Sequence, residues 1–190
     1  MAEDPLALAT RNGLPDDLRF LLDRHPRPTW DGSLGELGRF WLSRHAMFRE
    51  AHGVLLAETR AFAERRADPA RFAPRFGRVA GFLLGELDMH HNVEDHHYFP
   101  RLVRLEPRLE RGFTLLDADH HALHDTLAAL ADEANALLRA LRDGEVLEAG
   151  KRAAEALERL GHLLDRHLAD EEDIVAPLLI TRGEAALGVR

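Results

Sequence analysis

Four stretches of this chain set apolar side chains three and four residues apart, and each is broken at core-facing positions by histidine or glutamate. Three-and-four spacing is the period of one helix face, so each stretch reads as an amphipathic helix. The first carries Leu34, Leu37, Phe40, Trp41, His45, Phe48, His52 and Leu55. The second carries Phe72, Phe76, Val79, Leu83, Leu87, His90, Glu94 and Tyr98, closed by Pro100 and a charged turn before Pro107. The third places Leu116, His120, Leu123, His124, Leu127, Leu130 and Leu137 together and stops at Arg142-Asp143-Gly144. The fourth starts near Val146, carries Leu157, Leu160, Leu164, His167, Leu168, Glu172 and Val175, and ends at Pro177 and Gly183. Nothing alternates as a strand does. The expectation is an all-α chain, an up-down-up-down four-helix bundle over residues 33–182. Residues 1–32 read as an N-terminal arm with one short helical piece, DDLRFLLDRH, and residues 183–190 as a tail.

A chain of 190 residues buries a core of its own without staples. It has no cysteine, which removes disulfides, thiolate metal sites, iron–sulfur clusters and thiol nucleophiles, and leaves nitrogen and oxygen to hold any metal. The net charge of -8 opposes a nucleic-acid surface, which needs clustered Lys and Arg against phosphate. No stretch is apolar enough to span a bilayer, and acids and prolines stand where a signal peptide has a basic start, so the expected location is cytoplasmic.

The twelve histidines gather in short groups. An unpaired polar group on a core face costs about 1–3 kcal/mol, so the stripe histidines need partners. Helical residues rise about 1.5 Å each, and counting outward from turns near Asp68, Pro107 and Asp143 tests whether they share a level. His45 levels with His90, His90 with His124, Glu94 with His120, and His120 with His167. His52 falls about two turns nearer the loop. Imidazoles and carboxylates converging in one low-dielectric cross-section are what a pair of first-row transition metals requires, and shared carboxylates hold such a pair about 3.5–4 Å apart.

These residues resemble the hemerythrin, or HHE cation-binding, family. Its pattern is a histidine in helix one, His-x-x-x-Glu in helix two, His-x-x-x-His in helix three and His-x-x-x-x-Asp/Glu in helix four. Here the elements are His45 in WLSRHAMFRE, His90 and Glu94 in HHNVEDHHYFP, His120 and His124 in DHHALH, and His167 and Glu172 in HLADEEDIVAP. The resemblance spans about Ser33 to Ile180, with Phe99-Pro100 and Ala176-Pro177 at offsets common in the family.

The resemblance implies two iron ions, Fe2+ or Fe3+, with a bridging oxo or hydroxo group. One would take His120, His124 and His167, the other His45 and His90, with Glu94 and Glu172 bridging. It implies dioxygen as the ligand at an open position, lined by Phe48, Leu163, Leu164 and Leu168, in carriage, storage or sensing. Glu171 competes with Glu172 for the bridge, and His52 with His45. His91, His96, His97 and His121 point to other faces and are expected outside the ligand set. His52 and His162 read as a capped pair near one end, or as a relay of protons behind the ligands. Two other functions stay open: a di-iron oxidoreductase acting on nitric oxide, peroxide or oxygen, and a protein that handles iron or zinc.

Overall fold

The computed structural model describes residues 4–143 and 146–187, apart from the side chains of Asp143 and Ala186. Gly144, where the third helix was expected to stop, lies outside the described residues, as do residues 1–3 of the arm and 188–190 of the tail. The fold is the expected all-α, four-helix class, with no strand among the described residues. The long helices are α1 (Glu36–Ala63), α2 (Pro69–Val93), α4 (Glu110–Asp143) and α5 (Leu147–Arg182), and a short α3 (Phe99–Leu105) follows α2. The chain divides into two compact units. Each holds a segment of every long helix.

One unit comprises residues 47–89 and 122–164. Its core repeats in alternating steps of four and three, Leu123, Leu127, Leu130, Ala134 and Leu137 on α4 and Ala153, Leu157, Leu160 and Leu164 on α5, all buried. Phe62 stacks on Phe72 with ring centroids 4.2 Å apart where α1 gives way to α2. Arg65 takes the left-handed conformation there, at φ 60°, and its amide neighbours close the end of α1 with 310-type and wider turns.

The other unit comprises residues 1–46, 90–121 and 165–190. The arm contributes to its core. Leu14, Leu18, Leu21 and Trp30 are buried in one apolar cluster with Phe99 and Leu102 of α3, Phe113 and Leu116 of α4, and Ile174, Val175 and Leu178 of α5. The expected arm helix is a 310 turn at Asp16–Leu18 followed by further turns to His25. Burying leucines from a short segment through tertiary contacts does not require a regular helix, which in isolation would be too short to hold itself.

Two expected helix ends hold at the turn before Pro107 and at Gly183 and are corrected at Pro100 and Pro177. The second helix does not close at Pro100: a π turn at Glu94–Tyr98 leads into α3, where Pro100 sits in the first turn and its missing N–H is no loss. The fourth helix runs through Pro177 to Arg182 and stops at Gly183, whose φ of 78° suits glycine. The turn after it delivers Glu184 to the start of α1, where its oxygens accept from the amides of Leu37 at 3.0 Å and Gly38 at 2.8 Å. A Cβ at Gly35 would fall 2.2 Å from that carboxylate. Glu184→Ala leaves those amides without the acceptor and is expected to lower stability by about 1 kcal/mol, measured as a shift in the urea midpoint.

Candidate metal centre

All of the convergent polar side chains belong to the unit that contains the arm. Two groups of donor atoms form there, each with its atoms within 4.8 Å of one another: His91, His120 and His167 in the first, and His45, His90, Glu94 and Glu171 in the second. Except for His90, which is partly buried, every member is buried.

Each arrives by its helix's stripe. On α4 the buried positions run Leu116, His120, Leu123, Leu127, and on α5 they run Leu160, Leu164, His167, Glu171, Ile174, Leu178, both in steps of four and three. Glu171 therefore faces inward and Glu172 stands about 100° round the helix from it. On α2 the same steps run Leu83, Leu87, His90, Glu94, and then jump five residues to Phe99 before resuming at Leu102. The π turn supplies the extra residue. Such single turns recur at functional sites because they re-aim side chains within an otherwise regular helix.

The two groups share their carboxylates. Glu94 sets Oε1 2.9 Å from Nε2 of His90 and Oε2 3.6 Å from Nε2 of His120. Glu171 sets Oε2 3.5 Å from Nε2 of His45 and 3.4 Å from Nε2 of His167, while its Oε1 accepts the indole N–H of Trp41. The Nε2 atoms of His45 and His90 stand 3.2 Å apart, and those of His120 and His167 3.1 Å apart. His91 stacks on His120 with ring centroids 4.2 Å apart. Nε2 of His91, both oxygens of Glu94 and Oε2 of Glu171 are buried and make no well-directed hydrogen bond among the described residues, Glu94 Oε1 lying near His90 without one. Buried polar atoms are ordinarily paired, so four orphans aimed into one space fit a cation as their partner. An all-nitrogen-and-oxygen donor set with two shared carboxylates suits first-row transition-metal ions.

The far side of three imidazoles is held by a carboxylate. His120 donates from Nδ1 to Asp95 at 2.7 Å, His45 from Nδ1 to Glu172 at 3.1 Å, and His167 from Nδ1 to Asp119 at 3.4 Å. Such contacts leave each Nε2 lone pair facing the donor group. Burial, with smaller contributions from neighbouring histidines, drives His90 down to about 3 and His91 well below the usual imidazole range, so both are neutral donors. Burial, then Glu171, holds Glu94 well above the carboxylate range. Burial works against protonated His167 too, but its bonds to Asp119 and Glu171 prevail and raise it to about 9. A cation bound among these donors would favour the carboxylate form of Glu94 and the neutral form of His167, displacing their protons.

The structure brings together His45, His90, Glu94, His120 and His167, and it departs from the sequence reading elsewhere. His124 is not in either group: its side chain is 69% exposed and its Nδ1 lies 3.6 Å from Asp88. Leu123 occupies the stripe position, and one residue further on is one-quarter turn too far. His91, expected on another face, lies in the first group instead, because adjacent His90 and His91 straddle the inward direction. Glu172 backs His45 rather than joining the shared pair, and Glu171 takes the inward position.

Among the remaining candidates, Phe48, Leu164 and Leu168 are buried and Leu163 is partly buried. His52 donates from Nε2 to the Leu157 carbonyl at 2.7 Å and packs over Gly161, but His162 is exposed, so the expected buried pair is corrected to a capped His52 alone. Sequence reasoning missed Trp41, Asp95 and Asp119 as partners of the site. Their one visible signal is position, since Trp41 precedes His45 by one turn and the two aspartates adjoin Glu94 and His120.

The family model described as the hemerythrin HHE cation binding domain matches residues 39–185. No curated protein and no solved structure matches the chain.

Proposed function

For a chain that belongs to the hemerythrin HHE cation-binding family, we propose a non-haem di-iron centre that binds dioxygen, serving its carriage, storage or sensing. The observation that supports this reading is the sharing of Glu94 and Glu171 between two buried histidine groups, with orphaned donor atoms facing inward. His91, His120 and His167 would hold one iron, His45 and His90 the other, and the two glutamates would lie between them. Held there in the ferrous state, such an iron pair would be a source of two electrons for a diatomic ligand. The protein's own contribution is to hold the imidazoles in orientation, through Asp95, Asp119 and Glu172, and to fix Glu171 through Trp41. Burial of the donors keeps bulk water from competing for them. His52, spent on the Leu157 carbonyl, is no free proton relay, which favours binding over turnover.

The test is anaerobic reconstitution with ferrous iron, a count of bound metal, then exposure to air with the visible spectrum recorded. About two irons per chain, and an absorption band that appears in air and fades on deoxygenation, is the expected result. Two irons with immediate irreversible oxidation would replace reversible binding with redox turnover, and fewer than one ion per chain would remove the site.

A further inference from the structure

The arm carries two arginines that end on the carboxylates behind the donor histidines, one at each group. Arg11 is buried with its guanidinium forked across Asp119, Nη1 donating to Oδ1 at 2.7 Å and Nη2 to Oδ2, while Nε donates to Asp170 at 2.7 Å. Asp119 is the carboxylate that accepts from His167. Arg27 spreads over the other side: Nη1 donates to Glu172 at 2.8 Å, Nε to Asp173 at 2.8 Å and Nη2 to the Ala169 carbonyl at 2.9 Å. Glu172 is the carboxylate that accepts from His45. Two chains of contact result, Arg11 to Asp119 to His167 and Arg27 to Glu172 to His45. Both arginines precede residue 39, where the match to the family model begins.

We propose that the N-terminal arm is a working part of the metal centre, with Arg11 and Arg27 as positioning residues that each clamp the carboxylate orienting one histidine of one donor group. A carboxylate with a free rotamer turns toward solvent or toward the nearest cation. Forked by a guanidinium it stays where the imidazole Nδ1–H needs it, and the Nε2 lone pair stays aimed at the metal. The rings thus reach the bound geometry before the ion arrives, and the arm sets the affinity of each ion separately. The inference rests on the two-ion reading above.

Zinc, colourless and diamagnetic, separates the two claims. The full-length protein and its Arg27→Gln and Arg11→Lys variants are titrated with zinc against a competing chelator, while imidazole nitrogen resonances report which histidines fill. Arg27 is 45% exposed at its side chain, so Arg27→Gln folds; Arg11→Lys keeps a charge beside the two aspartates. Removing the carboxylate behind a metal-binding histidine costs about 10–100-fold in affinity, and the arginines act one contact further out, so about tenfold is the expected loss. The expected result is a loss of that size at the His45 group for Arg27→Gln and at the His167 group for Arg11→Lys. The Nδ1 proton of the affected histidine should also exchange faster with water. Both affinities unchanged in Arg27→Gln, or the same ion weakened by both variants, overturns the inference while two zinc ions on the wild type leave the metal centre standing. A wild type that binds fewer than two zinc ions overturns both.

Discussion

His91→Ala is expected to cut retained metal from about two ions per chain to about one after dialysis against a chelator, with His124→Ala indistinguishable from wild type. The size of the effect follows from what each ring does. His91 is buried, stacks on His120, and directs an unpartnered Nε2 toward the donor atoms of His120 and His167. Deleting a direct donor should cost more than the 10–100-fold lost with a group behind one, so an affinity drop beyond about 100-fold is expected. His124 is exposed and pairs loosely with Asp88, so its loss should change stability by no more than about 0.5 kcal/mol. Far-ultraviolet circular dichroism on both variants separates a lost ion from a lost fold. The reverse pattern, with His124 needed and His91 dispensable, would require α4 to turn by about 100° at that level and would displace Leu123 from the core.

Arg11→Met is expected to lower stability by about 3–5 kcal/mol, because it leaves buried carboxylates without their cation. Burial works to raise the Asp119 carboxyl, and hydrogen bonds from Arg11 and His167 overcome it to leave the group below its usual range. Without Arg11 only the His167 contacts oppose the effect of burial. Asp170 keeps Arg166 at 2.6 Å, so the cost falls mainly on Asp119. For a chain of this length the change corresponds to a thermal midpoint lower by roughly 6–20 °C, readable by calorimetry. Arg60→Gln, at an exposed pair with Glu158, is the comparison and should lose no more than about 1 kcal/mol. Equal effects from the two substitutions would mean that the arm is not docked in solution.

The four helices were legible because their stripes are long: seven or eight apolar or ligand-type positions at helical spacing outweigh any local propensity. The level of the site was legible for the same reason, since an error of one residue in a turn moves a level by only about 1.5 Å. His45, His120 and His167 followed, each having no rival on its own stripe at that level.

Direction around the helix was less secure. Neighbouring residues differ by about 100°, and pairs such as His90 and His91 or Glu171 and Glu172 both lie within the span that a stripe covers. Strict four-three alternation through Leu164, His167 and Ile174 does select Glu171, and through Leu116, His120 and Leu127 it selects Leu123 over His124. That finer rule was available in the sequence, but the family spacing points one residue further on in both helices, to Glu172 and to His124.

Sequence by itself determined the helical class, the absence of thiolate donors and the cross-section in which the polar residues meet, because these depend on composition and period. Tertiary structure alone decided that α2 passes through a π turn, that His91 faces His120, and that an arm without regular helix places Arg11 and Arg27 behind the donor histidines. The last of these depends on partners more than 100 residues apart, Arg11 with Asp119 and Asp170 and Arg27 with Glu172. No local period records which of two adjacent side chains such a partner will meet.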